Sequence, residues 1–406
     1  MGQNRMSDDT RRTTVRTPRS APSESAIASF AVPTWMHRVA GWQERHPRAA
    51  IRLGNFDTKT ASEAIENVTI EAPIYIAGLA RSGTTILLEL LAEHPDVATH
   101  KYRDFPPVFT PWLWDRWLAR VPEKDESAAE RAHGDGIAVT SHSPEAFEEV
   151  LWMAFFEHSH DAAHSNRLTR ETSNPEFEKF YADHIRKILA IRQGTRYVAK
   201  GNYNLMRLAY LQRMFADARF VLPVRDPVWH IASLMKQQTL FEAGEKAHPR
   251  AIDHLRRVGH FEFGLDRRPI NTGDAEAVER IESLWRDGRE IEGWARYWAM
   301  VYGAVADQLA GDETLKQATQ IVRYEPLCND SQRVLADFYR HCGLAVDPAT
   351  LDAASQRLHL PDYYKPAFEA DEIGLIRQIA GPVAERFGYD PARLGEREPV
   401  RTEADI

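Results

Sequence analysis

The residues best suited to chemistry lie in Gly78-Leu-Ala-Arg81-Ser82-Gly83-Thr84-Thr85, between an apolar strand candidate and an apolar helix candidate. In that setting successive backbone N–H groups and a helix N-terminus converge on one anion site. The spacing is that of the phosphate loop GxxxxGK[ST], but Thr84 stands where the lysine belongs and the cation, Arg81, comes three residues earlier. A nucleoside triphosphatase needs that lysine on its phosphates, and then a Mg2+ ligand. A sulfate ester donor carries one charge fewer and needs no metal. Three more segments stand out: Tyr197-Val-Ala-Lys200, which puts a cation at a strand's carboxyl end, Val224-Arg-Asp-Pro-Val-Trp-His-Ile-Ala-Ser233 with Arg225 and Ser233, and Val-Arg-Tyr-Glu with Tyr324.

These residues fall at the ends of recognisable elements. Ala72–Ala77 reads as a strand, and the run from Thr84 as a helix with Ile86, Leu87, Leu90 and Leu91 on one face, stopped by Pro95. Tyr197–Lys200 and Ala218–Val224 read as strands, Leu205–Phe215 and Val228–Gln238 as the helices that follow them, Gln320–Tyr324 as a third late strand, and Ser331–Cys342 as a helix ending before Gly343. Strands alternating with helices predict an α/β fold with a parallel β-sheet flanked by helices and ligands at the strands' carboxyl ends. Residues 1–30 read as a disordered tail, 31–70 as a helical segment with pieces at Trp35–Ala50 and Ser62–Asn67, and 71–400 as the main domain. The helix-rich stretches Trp112–Leu189 and Leu240–Leu309 are expected to form a lid and acceptor pocket, although aromatic stripes at helical spacing equally describe plain core.

A strand followed by GxxRSGTT and a helix, then a distant strand, RDP and a helix with Ser eight residues after the Arg, resembles the PAPS-dependent sulfotransferases (PAPS, 3′-phosphoadenosine-5′-phosphosulfate). The resemblance spans about Pro73 to Gly343 and implies their P-loop-like fold. It also implies transfer of a sulfuryl group from PAPS to a hydroxyl of an acceptor that could be a glycan, lipid or small molecule, releasing PAP (3′-phosphoadenosine-5′-phosphate) without a metal. In that family the first loop cradles the 5′-phosphosulfate, which maps onto Arg81, Ser82, Gly83, Thr84 and Thr85. The second motif binds the 3′-phosphate, which maps onto Arg225 and Ser233, and Tyr324 matches a position beside the adenine. Arg81 and Lys200 would stabilise the charge on the leaving phosphate. The C-terminal RKGxxGxW segment of cytosolic members has no counterpart here, and Lys200 is followed by Gly-Asn rather than Thr-His, so the resemblance is to the bacterial and tyrosylprotein branch.

With Asn202 where cytosolic members carry a histidine, the general base must come from elsewhere. Asp104 in His100-Lys-Tyr-Arg-Asp104 is the first choice; His133 and Glu149 are the alternatives, and a lone acid in such a segment is also an ordinary cap or ion-pair partner. Arg103, Arg131 and Arg207 could receive an anionic acceptor if they face the cleft, or be plain surface charges. A kinase-like nucleotide enzyme and a catalytically silent PAPS-binding protein are the competing readings.

At 406 residues the chain can bury a large core, and a net charge of −8 argues against general nucleic-acid binding. Two cysteines, Cys328 and Cys342, are too few for a disulfide framework and lack metal-ligand spacing. No apolar run approaches a membrane span, and a cytoplasmic location is expected.

Overall fold

The structure, a computed structural model, describes residues 22–121, 129–130, 138–360 and 365–396. Five parallel strands carry the fold: β1 (Ile74–Ile76), β2 (Val97–Ala98), β3 (Arg196–Lys200), β4 (Arg219–Val224) and β5 (Thr319–Arg323), in the order β2-β3-β1-β4-β5. β1 lies in the centre, fully buried, as its unbroken apolar run requires. Its side chains alternate between two cores, Ile74 and Ile76 packing on one face and Tyr75 on the other, where the Tyr75 ring stacks on Phe220 of β4. The register sets Ile76 opposite Lys200 of β3 and Val221 of β4. The loop leaving β1 therefore emerges beside Lys200, at the point where successive strands go to opposite sides of β1 and a crevice opens.

Helices cover both faces of the sheet. Those used below are α1 (Thr34–Arg45), α2 (Pro47–Thr60), α3 (Thr84–Ala92), α4 (Pro111–Leu118), α5 (Pro175–Arg192), α6 (Pro227–Ala247) and α7 (Glu290–Gly311). The α/β architecture expected from the sequence is the one found. The differences are local. Trp35–Ala50 is broken at His46, because Pro47 disfavours helical backbone in the residue before it. The segment expected to be helical from Leu205 begins as a 3-10 turn at Asn202–Met206 and continues at Leu208–Met214. α6 runs on past Gln238 to Ala247, since nothing interrupts it before His248-Pro249. Within the expected tail, Glu24–Ala28 is helical and the Phe30 ring packs edge-on against Phe241 of α6. Trp152, Trp294 and Trp298 of the two long insertions are fully buried, so these aromatics are core.

Asp57 of α2 ties the N-terminal helices to the domain. Its carboxylate accepts from the backbone N–H groups of Trp112 and Leu113 at the start of α4 (3.3 and 2.8 Å) and from Lys187 Nζ of α5 (2.8 Å), and the Asp57 and Lys187 side chains are fully buried. Burial pulls the Lys187 pKa down and the Asp57 carboxylate opposes that. Removing one partner of such a pair leaves an uncompensated buried charge, at a cost of about 3–5 kcal/mol. Asp57→Ala should therefore lose that much unfolding free energy in urea titrations, while Asp57→Ala with Lys187→Met recovers most of it.

Candidate active site

The loop after β1 is shaped by two backbone demands. Arg81 and Gly83 both hold positive φ (71° and 106°), and Gly83, the N-cap of α3, offers no side chain to the helix end. A Cβ on Gly83 would lie 2.9 Å from the Tyr324 ring, and one on Gly78 2.6 Å from Ser82 Oγ. Both glycines are needed for close approach. The first-turn N–H groups of α3, Thr84 and Thr85 included, thus open onto a cradle floored by glycine, with the helix dipole adding positive potential. Ser82 and Thr84 are buried; Arg81 and Thr85 are half-buried.

The structure brings the second motif to the same place. Arg225 lies just past the end of β4, and its guanidinium sits 4.8 Å from the centroid of the Tyr324 ring. Ser233, two turns into α6, accepts a hydrogen bond from Arg81 Nε (3.3 Å), so the two motifs touch directly. Arg81, Arg225, Ser233, Tyr324 and the glycine loop form one cationic cluster. Lys200, from the end of β3, donates to Thr85 Oγ1 (3.2 Å) and closes the other side.

One residue the sequence reading passed over holds this together. Trp298 Nε1 of α7 donates to His230 Nδ1 (3.2 Å), which leaves the ring proton of a neutral His230 on Nε2, donating to the Ala80 carbonyl (2.8 Å). Burial, with Arg225 and Arg81 adding to it, lowers the His230 pKa to about 3, and the bond to Ala80 only partly opposes that. His230 therefore stays neutral and clamps α6 to the phosphate-type loop. The only signal in the sequence was its place between Arg225 and Ser233.

A second support lies under Arg225. The neighbouring Asp226 caps α6 through the N–H groups of Val228 and Trp229, and its own N–H donates to Glu325 (3.1 Å). Burial, and next the Asp226 charge, push the Glu325 carboxyl up to about 7, although Tyr389 OH donates to it at 2.7 Å.

The acids examined as bases separate by geometry. Asp104 is buried: it accepts from Arg192 (2.6 Å) and the Lys101 N–H (2.8 Å) and lies 3.3 Å from His100. Burial opposes its ionisation, but His100 and Arg192 outweigh that and hold the carboxyl at about 2. Glu149 is gripped by both guanidinium nitrogens of Arg207 and by His160, each at 2.7 Å. Against the cost of burial, the Arg207 charge and the hydrogen bonds to Arg207 and His160 hold it at about 2. Both are anchors, and neither contacts the loop. Glu148 turns into the core onto Tyr181 and Tyr197. Glu145 alone of this acidic run reaches the cluster, 3.4 Å from Lys200 Nζ.

Beyond Lys200, His260 Nδ1 lies 3.0 Å from Glu262, which in turn accepts from Asn202 (2.6 Å). Burial lowers the His260 pKa, but Glu262 more than compensates and raises it overall. Glu145 and His260 were the groups the sequence could not single out; each is brought in by a long insertion. Arg207 is buried on Glu149 and over the Trp152 ring, and Arg103 pairs with Asp115, so neither is placed to receive an acceptor. His133 and Arg131 lie outside the described residues. A cleft of about 560 Å³ opens between residues 153–162 and Phe261, Arg267 and Arg268, but no motif residue lines it.

A parallel sheet whose central loop gathers arginines, hydroxyls and bare N–H groups, without the kinase's loop lysine, suits a sulfated or phosphorylated ligand. Residues 73–267 match the model of the Sulfotransferase family, a span holding every motif residue except Tyr324. The chain is 24% identical over 352 residues to the omega-hydroxy-beta-dihydromenaquinone-9 sulfotransferases Stf3 of Mycobacterium bovis and Mycobacterium tuberculosis, covering 81% of this chain and 79% of each relative. Among solved structures it is similar to sulfotransferase STF9 from Mycobacterium avium (13% identity, 82% of each chain, TM-score 0.47). It is also similar to STF1 from M. tuberculosis (16% identity, 86% of each chain, TM-score 0.41). The family match covers just under half of the chain, and the curated relatives it is similar to are named as sulfotransferases.

Two predictions follow from the buried acids. Replacing Asp104 with Asn should lower stability by about 3 kcal/mol, through loss of the partner of Arg192, while PAP affinity measured by calorimetry stays at the wild-type value. Folded Glu325 titrates near 7 against an ordinary value of 4.5, so between these pH values the folded state holds a proton that the unfolded state has lost. Stability from this group falls as pH rises from about 4.5 to 7 and is level above, by at most ~3 kcal/mol. In thermal unfolding, the melting-temperature difference between Glu325→Gln and wild type should widen in favour of the variant across that window.

Proposed function

We propose that this sulfotransferase moves the sulfuryl group of PAPS onto the hydroxyl of a lipid-like acceptor, that Glu145 takes the acceptor's proton, and that PAP leaves without a metal. The observation that carries this reading is Lys200, hydrogen-bonded to Thr85 of the loop and ion-paired with Glu145. It sets a carboxylate beside the place where the loop would hold the reacting group. The acceptor class is suggested by the relatives whose names specify an omega-hydroxylated dihydromenaquinone, a hydroxyl on a long apolar chain.

The residues fit the donor. Ser82, Gly83, Thr84 and Thr85 would hold the 5′-phosphosulfate through N–H and hydroxyl groups, and Arg225 and Ser233 would hold the 3′-phosphate. The Tyr324 ring, lying over Gly83 and Arg225, would flank the adenine. When bound, PAPS supplies an activated sulfuryl group: an acceptor O–S bond forms as the S–O bond to the 5′-phosphate breaks. Glu145 receives the hydroxyl proton, and Arg81 and Lys200 face the negative charge that grows on the leaving phosphate oxygen. His230 and Ser233 hold Arg81's loop against α6, so the donors are in place before charge develops.

A general base contributes about 10²–10⁴ in rate. With radiolabelled PAPS and an omega-hydroxylated polyprenyl quinone as acceptor, Glu145→Gln should lose turnover in that range and keep PAP binding. Full turnover in Glu145→Gln would overturn the assignment of the base. Loss of a charge-assisted hydrogen bond costs about 1.5–3 kcal/mol. Arg225→Ala should accordingly weaken PAP binding by roughly 10- to 100-fold in the same calorimetric assay.

A further inference from the structure

Three helices outside the site carry an unusual surface. On α1, Trp35, Val39 and Trp42 recur at i, i+4 and i+7, and the two tryptophans are 53% and 38% exposed. On α2 the outward face carries Leu53 and Phe56, the latter 57% exposed. On α4 it carries Leu113 and Trp117, the latter 50% exposed, with its ring stacked on Trp114 at 4.6 Å. The helices are contiguous: α1 runs into α2 at His46, and Asp57 of α2 caps α4.

The charges on these helices are sorted. Each helix has one acid, and each acid is paired with a cation: Glu44 with Arg257 (2.8 Å), the buried Asp57 with Lys187 (2.8 Å), and Asp115 with Arg103 and Arg192 (3.2 and 3.3 Å). Arg38 and Arg45 flank the exposed stripe of α1, Arg48 and Arg52 that of α2, and Arg116 that of α4, all of them exposed. No ion pair involves these five arginines among the described residues. The unpaired charges on this surface are therefore arginines, set among aromatic and aliphatic side chains, on a chain whose net charge is −8.

Such a patch does not persist on a soluble surface without a use. We infer that α1, α2 and α4 together form a docking face for an anionic lipid surface, with the tryptophans and Phe56 seated at the headgroup boundary and the arginines on lipid phosphates. Aromatic rings with an apolar body and a polar edge prefer that boundary, and arginines flanking them extend their charge outward. Charge complementarity favours this occupant over a second copy, which would bring arginines against arginines. α4 also joins this face to the site: Trp114 Nε1 donates to the Arg103 carbonyl (2.7 Å), and the adjoining His100 carbonyl accepts from the Glu145 N–H (3.0 Å).

The test is co-sedimentation of the full chain with phosphatidylcholine vesicles and with vesicles that also contain phosphatidylglycerol, alongside the intrinsic tryptophan emission. The expected result is binding to the anionic vesicles only, weakened by salt, with a blue shift of the emission. At about 1 kcal/mol per basic residue, Arg38→Glu, Arg45→Glu and Arg52→Glu combined should weaken binding roughly a hundredfold. Trp35→Ser, Trp42→Ser and Trp117→Ser combined should abolish the blue shift. Retained PAP binding establishes that the variants are folded and separates this test from that of the catalytic reading. Absence of binding to the anionic vesicles, or binding that the variants leave unchanged, overturns the proposal. So does a concentration-dependent dimer that the tryptophan variant disrupts, which would assign the face to a second copy.

Discussion

The site depends on holding two arginines together before any anion arrives. Arg81 and Arg225 lie on different loops, at the ends of different strands, and their charges repel. What fixes them is the neutral His230, which bridges α7 to the Ala80 carbonyl, and Ser233 on the same helix, which accepts from Arg81. A protonated His230 would add a third positive charge to a cluster that already has two, and would lose the bond from Trp298. Burial prevents this, which is why a core tryptophan of an insertion and a motif histidine belong to the anion site although neither needs to touch the anion.

A second constraint sorts the acids. A carboxylate near a cationic cleft is either consumed by a dedicated cation or left to serve it. Arg192 consumes Asp104, Arg207 and His160 consume Glu149, and Tyr181 and Tyr197 take Glu148. Glu145 shares Lys200 with Thr85 and so remains coupled to the loop. Buried full ion pairs make Asp104 and Glu149 poor proton acceptors, because a carboxyl held at about 2 has little driving force to take a hydroxyl proton.

Much of this was legible in the sequence because it is local. The strand, glycine loop and helix at 72–92, and the Arg225-to-Ser233 spacing, announce an anion site through contiguous residues whose backbone geometry is set by glycine, proline and apolar period. The α/β class followed from the same alternation. What was not legible is what long insertions bring back in space. Asp104 and Glu145 look alike in sequence, and only the position of Arg192, 88 residues on, or of Lys200 assigns them different work. His260 and Trp298 likewise gain meaning only once their helices pack. The helix break at His46 and the length of α6 depended on where proline fell, which the hydrophobic period alone does not report.

A phosphate-type loop with Thr84 at the kinase lysine's position and its cation, Arg81, three residues earlier is held to bind a phosphosulfate nucleotide. Calorimetric titration of the purified chain with PAP, and separately with ATP and Mg2+, tests it directly. The account predicts tight PAP binding that is unaffected by chelating metal, and no comparable ATP binding. Binding of ATP that requires Mg2+, with none of PAP, would contradict it.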